Sequence, residues 1–177
     1  MTVSDKAHLA GAMRESARDA FAGIGRVFRG NAEAAGIRIA LVASRFHEPM
    51  VESLVEGAAK ELARLGARAE DVDLTWVPGA FELPLAAQVL ARSGRYDAIV
   101  ALGVVIRGET PHFDFVCTEC ARGLADVARA EGVPVLFGVV TADDAAQAHA
   151  RTGGAGNKGT DVARAAIEIV SALKEAR

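Results

Sequence analysis

His112 is the side chain of this sequence best suited to moving protons. An unperturbed imidazole titrates near pH ~6.5, so it can both accept and return a proton at neutrality. His112 stands in Arg107-Gly108-Glu109-Thr110-Pro111-His112-Phe113-Asp114, a polar stretch that abruptly follows the apolar run of residues 98–106. Gly108, Glu109 and Thr110 can turn consecutive backbone N–H groups toward an anion. A single histidine at a strand end is also what an ordinary surface or capping residue looks like, and this stretch alone leaves both readings open.

Other residues carry similar pairs of readings. Phe46, in Ser44-Arg45-Phe46-His47, can pack on the start of a helix or stack on a planar heterocycle. Glu82, in Pro78-Gly79-Ala80-Phe81-Glu82, complements a helix dipole or accepts hydrogen bonds from ligand hydroxyls or amines. Arg151 is an ordinary cation at a helix C-terminus, and also the residue type shaped for two-pronged phosphate binding. The glycine-rich run at 153–159 looks like a phosphate cradle, but it lacks the G-x-x-x-x-G-K-[ST] spacing and follows a helix. No G-x-G-x-x-G follows the first strand, which counts against a dinucleotide site. Cys117 and Cys120 form a C-x-x-C with no second pair to complete a zinc site. They read as two reduced thiols in a cytosolic protein.

These residues need a scaffold, and the hydrophobic pattern supplies one. Residues 37–43, 72–77, 96–106 and 133–140 read as buried strands. Residues 49–65, 81–92, 115–130, 143–151 and 160–177 read as helices. Thr141 is expected to cap the fourth, and Val162, Ala166, Ile169 and Leu173 to face inward on the last. Strands alternating with helices give a parallel α/β sheet packed on both faces. Its strand-end loops, at 44–47, 78–82, 108–112 and after Val140, should crowd one rim, where open α/β sheets place their ligands. Residues 26–29 read as a short edge strand with no partner in the chain. Residues 1–24 read as an appended, weakly amphipathic arm, and residues 25–177 as the domain proper.

Bulk properties bound the function. The 177 residues carry a net charge of −3 and few aromatics, which excludes an electrostatic footprint or stacking platform for nucleic acid. No apolar run is long enough to span a bilayer. The first 24 residues mix acids with bases, unlike an organellar transit peptide, and lack the apolar core of a secretory signal. A cytoplasmic protein with no membrane partner is expected.

Taken together, four motifs resemble those of the 6,7-dimethyl-8-ribityllumazine synthase family of riboflavin biosynthesis. They are Ala43-Ser44-Arg45-Phe46, Val77-Pro78-Gly79-Ala80-Phe81-Glu82-Leu83-Pro84, the stretch from Leu102 to Asp114, and Gly156-Asn157-Lys158-Gly159. The likeness runs from about Val27 to the final helix. It implies a flavodoxin-like three-layer α/β/α sandwich with a four-stranded parallel sheet, extended by the N-terminal edge strand of a neighbouring subunit. It implies a transferase that joins 5-amino-6-(D-ribitylamino)uracil to 3,4-dihydroxy-2-butanone 4-phosphate without metal or organic cofactor.

By the same resemblance, His112 is the general acid/base and Phe46 stacks on the pyrimidine. Ala80, Phe81 and Glu82 hold the ribityl chain and ring, and Val104, Val105 and Ile106 line the pyrimidine. Glu109 and Thr110 give backbone donors to the phosphate, and Arg151 its counter-charge. Phe137 reaches the site of a neighbouring subunit, and Lys158 lies near the ligand. The implied partners are further copies of the chain, as a pentamer or a sixty-subunit icosahedral shell, together with riboflavin synthase. His47 stands where the family often has Asn, and the loop after Arg151 is one residue shorter than is common, which bears on where Lys158 falls. Two alternatives stand beside the enzyme: a catalytically silent shell-forming paralogue, and a protein that binds flavin or lumazine without turnover.

Overall fold

A computed structural model describes residues 23–177. Nearly all of the arm assigned to residues 1–24 lies outside the described residues. Four strands, β1 (Ile39–Ser44), β2 (Val72–Val77), β3 (Ala98–Ile106) and β4 (Val135–Ala142), form one parallel sheet in the order β2-β1-β3-β4. The helices are α1 (Glu48–Arg64), α2 (Leu83–Arg92), α3 (His112–Glu131), α4 (Ala145–Thr152) and α5 (Lys158–Ala176). The expected three-layer α/β/α architecture is the observed one. Residues 26–29 are exposed and form no strand within the chain.

The two faces of the sheet bury alternate residues of the same strands, as the period of two requires. Ile39, Leu41, Ala43, Val100, Leu102 and Val104 pack under α1, α4 and α5. Ala40, Val42, Ile99, Ala101 and Val139 pack against α2 and α3. On α1, Val51, Leu54, Ala58 and Leu62 recur at three- and four-residue spacing and are all buried. Each larger aliphatic side chain among them contributes about 1.5–3 kcal/mol relative to exposure. The chain runs from β1 over one face to β2, then crosses the other face to β3. The strand order therefore reverses between β1 and β3, and a crevice opens at their carboxyl ends.

Three expectations are corrected here. α4 is capped by Asp144, whose carboxylate accepts from the Gln147 amide at 2.8 Å, and Thr141 lies inside β4. On α5 the inward stripe is Ala163, Ala166, Ile167 and Val170, while Ile169 and Leu173 are exposed. The helix also starts two residues earlier than expected. Finally, residues 153–159 are not one open loop: a 3₁₀ turn spans Gly154–Gly156, and Asn157 caps α5.

Asn157 explains that early start. Its Oδ1 accepts from the Thr160 amide at 3.3 Å, and its Nδ2 donates to the carbonyls of Ser53 and Thr152, both at 2.7 Å. One buried side chain thus ties α1, α4 and α5 together. Gly57 and Gly159 make room for this: a Cβ on Gly57 would lie 2.4 Å from Asn157 Oδ1, and one on Gly159 2.0 Å from the Leu54 carbonyl oxygen. Asn157→Asp keeps the cap but replaces a donor with a carboxylate facing two carbonyl oxygens. It is expected to destabilise the fold by about 1–3 kcal/mol, read as a lower urea midpoint at unchanged slope. An unchanged midpoint would show that the two carbonyl contacts contribute nothing.

α1 and α5 are also joined by Glu61, which is buried, accepts from Arg64 of its own helix at 2.8 Å and pairs with Arg164 of α5 at 2.5 Å. The hydrogen bond from Arg64 holds its carboxyl below the ordinary value of 4.5, against the opposing effect of burial. A depressed carboxyl stabilises the folded state above its unfolded pKa, and this contribution is lost as pH falls through the folded one.

Candidate active site

Three strand-end segments and the first turn of α3 enclose a cleft of about 590 Å³ at the crevice between β1 and β3. Phe46 and His47 come from the turn after β1. Gly79, Ala80, Phe81 and Glu82 come from the 3₁₀ turn after β2. Val104, Val105 and Ile106 end β3, and Gly108, Thr110, His112, Phe113, Phe115 and Val116 complete the wall. The lining is mostly apolar, with a carboxylate and two imidazoles as its titratable groups, which is the usual make-up of a small-molecule site.

Each segment has a local reason for its shape. His47 is the one described non-glycine residue with positive φ, at 60°, and it turns the chain from β1 into α1. Its ring meets Phe46 edge-on, with centroids 4.9 Å apart. Phe46 is two-thirds exposed and lines the cleft. Glu82 immediately precedes α2 and makes no side-chain cap bond. Its Oε2 lies 3.1 Å from where a Cβ on Gly79 would sit, so the carboxylate folds back over the glycine.

His112 does not lie in the loop. It is the first residue of α3, three residues before the expected helix start, and Pro111 takes the position preceding the helix. Starting the helix there places His112, Phe115 and Val116 on one face, because residues three and four apart are neighbours. The amides of Gly108, Glu109 and Thr110 make no backbone hydrogen bond within the described residues. These exposed donors sit beside the N-terminus of a 20-residue helix, a setting that favours an anion.

The cleft therefore gathers Phe46, Ala80, Phe81, Glu82, Val104, Val105, Ile106, Thr110 and His112. Glu109 is exposed beside it and is not in its lining. Three further candidates lie elsewhere on the chain. Phe137 is paired with Ala101 in β4 and is partly exposed. Arg151 is exposed on α4, one residue before its end, and donates to the Gln147 carbonyl at 2.9 Å. Lys158 opens α5 and pairs with Asp161 at 2.8 Å. None of the three lines the cleft of its own chain.

Some lining residues escaped the sequence reading. Phe113, Phe115 and Val116 were hidden by the late helix start. The i, i+3, i+4 spacing from His112 would have found Phe115 and Val116. Cys117 and Cys120, three residues apart on the same helix, are free thiols. Burial pushes Cys120 up to about 12, with Cys117 adding to the effect, and burial also raises Cys117. Both are poor nucleophiles in this state. No cluster of potential metal ligands occurs among the described residues, and no described helix is long and apolar enough to cross a membrane.

The residues that build this cleft fall within a single match to a known protein family. The model of that family, described as 6,7-dimethyl-8-ribityllumazine synthase, matches residues 36–174, from just before β1 almost to the end of α5. Every strand of the sheet and every lining residue of the cleft lies inside the matched stretch, and the chain belongs to the 6,7-dimethyl-8-ribityllumazine synthase family of riboflavin biosynthesis.

Proposed function

We propose that the protein condenses 5-amino-6-(D-ribitylamino)uracil with 3,4-dihydroxy-2-butanone 4-phosphate to form 6,7-dimethyl-8-ribityllumazine, one phosphate and two waters. The observation that carries this reading is the cleft itself. A phenyl ring, a carboxylate and an imidazole converge at one crevice, beside amides that make no backbone hydrogen bond among the described residues. Three of them match parts of the two substrates, and the imidazole matches the proton transfers between them.

In this reading the pyrimidine stacks on Phe46 and lies along Val104, Val105 and Ile106. The ribityl chain follows Ala80, Phe81 and Glu82, with the Glu82 carboxylate accepting from hydroxyls. The phosphate of the butanone rests on the amides of Glu109 and Thr110. The 5-amino group attacks the ketone, and loss of the first water leaves an imine. Removal of the C3 proton expels phosphate from C4 and leaves an enol, which takes up a proton at C4 to become the C3 ketone; attack of the ribityl-bearing nitrogen on that ketone, with loss of the second water, closes the ring. Every step takes a proton from one nitrogen, carbon or oxygen and delivers one to another. His112, at the cleft wall beside the phosphate donors, serves these transfers in turn. Proximity supplies the rest, because two small molecules held in contact react as one.

The functional unit in this reading is an oligomer. Phe137, Arg151 and Lys158 do not reach the cleft of their own chain, which supports a site completed by a neighbouring subunit. The exposed Val27 and Phe28, in a segment without an internal strand partner, fit addition to a neighbour's sheet edge. Head-to-tail addition of this kind closes into a ring or runs on as a filament, and closure at five is what the family resemblance implies.

The test is turnover by the purified protein with both substrates, followed by lumazine absorbance and phosphate release. Stoichiometric formation of the two supports the enzyme. Binding of lumazine or flavin without turnover, or assembly with neither, would replace it with one of the two silent readings. Arg151 gives a finer check. Arg151→Ala is expected to weaken butanone phosphate and inorganic phosphate by about 10- to 100-fold while leaving the uracil nearly unaffected, because one charge-assisted pairing is lost. Equal losses for the two substrates in separate titrations would assign Arg151 to the fold.

A further inference from the structure

Arg107 lies outside the cleft lining, yet its side chain ties together the segments on either side of His112. Its Nη1 and Nη2 donate to the two carboxylate oxygens of Asp114, at 3.2 and 3.1 Å. Its Nε donates to Asp143 at 3.1 Å. Its guanidinium carbon sits 4.1 Å from the centre of the Phe113 ring, which is part of the cleft wall. Its own amide donates to the Ala142 carbonyl at 2.9 Å. Asp143 is held in turn, since its amide donates to the Gln147 side chain at 3.2 Å.

The geometry points to Arg107 as the positioning residue of the loop that leads to His112, a clamp that fixes residues 108–111 and the start of α3 by joining the chain where it leaves β3 to the first turn of α3 and to the β4–α4 turn. The inference rests on the reaction proposed above. Between Arg107 and His112 the loop has little to hold it. The His112 amide reaches the Thr110 hydroxyl only at 3.5 Å, and the amides of residues 108–110 have no backbone partner among the described residues. Asp114 lies seven residues from Arg107, so the fork closes the loop at its base. Arginine is suited to this because its planar fork meets a carboxylate two-pronged while its face stacks on an aromatic ring; lysine offers a single point charge. Both carboxylates hold the guanidinium proton more firmly, Asp114 more than Asp143.

The three side chains are substantially exposed, at 42, 58 and 68 % for Arg107, Asp114 and Asp143. Ion pairs this open contribute little to global stability. The clamp should therefore show in catalysis and not in melting. Arg107→Gln is expected to lower kcat about ten- to a hundredfold, the scale of a small misplacement of reacting groups. The KM for the butanone phosphate should rise because its amide donors move, and that for the uracil should stay within about twofold. The thermal midpoint should shift by no more than about 2–4 °C. Arg107→Lys should not rescue kcat. Arg107→Gln combined with Asp114→Asn should be no worse than Arg107→Gln alone, as for two ends of one interaction.

Unchanged kcat, additive losses in the double variant, or both KM values rising with a collapsed midpoint would overturn the inference. Should Arg107→Gln fail to fold, Asp143→Asn removes a single arm and is expected to give an intermediate loss; normal kcat there overturns the clamp equally. A crystal structure of Arg107→Gln, or of Asp143→Asn in its place, separates this inference from the reaction. If the wild type shows no turnover, the proposed reaction fails, while a loop 108–111 and a His112 that keep their positions in the variant still refute the clamp and their displacement still supports it.

Discussion

Replacing His112 with alanine is expected to lower kcat by about 100-fold while changing the KM for the uracil little. A positioned general acid/base acts in the transition state and is worth roughly 10²–10⁴-fold. The low end is expected because the condensing groups are themselves reactive once held together, so proximity in the cleft survives the loss of the imidazole. His112 is exposed at the first turn of α3 and packs into neither core cluster, so its removal leaves the fold intact. The measurement is steady-state kinetics with each substrate varied in turn. A kcat equal to that of the wild type would remove His112 from the mechanism and leave the cleft as a site that works by juxtaposition alone.

The second large effect concerns where a site ends and its neighbour begins. Subunits carrying His112→Ala keep Phe137 and Arg151; subunits carrying Phe137→Ala and Arg151→Ala keep an intact cleft. Either kind alone should be nearly inactive. Co-expressed in equal amounts, they should recover about a quarter of wild-type activity, the share of interfaces that join an intact cleft to an intact neighbour in a randomly mixed ring. Native mass spectrometry verifies the mixing. Mixed rings no more active than their parents would mean that each chain holds its own complete site, or that Phe137 and Arg151 serve another purpose.

The strands were legible because their burial is extreme. All six residues of β1 and the first seven of β3 are buried, and a short continuous apolar run bounded by turn residues is the pattern of a strand covered on both faces. The cleft residues at strand ends were legible too, since chain order alone puts those loops on one rim. What the sequence hid was set by contacts distant along the chain. The start of α5 depends on Asn157 bridging to Ser53, 104 residues away. Without that staple, the glycine-rich run reads as an open loop. The start of α3 was masked by Thr110 and Pro111, which look like loop until the helix is seen to begin directly behind the proline. Arg107 looked like simple loop polarity, because one of its partners, Asp143, is 36 residues away. The roles proposed for Phe137 and Arg151 are the extreme case, for a site shared between copies would leave no trace in the periodicity of one chain.

The central claim is that both substrates meet in this cleft, and a crystal structure of the protein with the uracil substrate and inorganic phosphate tests it most directly. The pyrimidine is expected to stack on Phe46, with the ribityl chain along Ala80, Phe81 and Glu82. Phosphate is expected on the amides of Glu109 and Thr110, with His112 between the two ligands and Arg151 reaching the phosphate from a neighbouring copy. A pyrimidine bound away from Phe46, or a phosphate that leaves those amides unused, would contradict it.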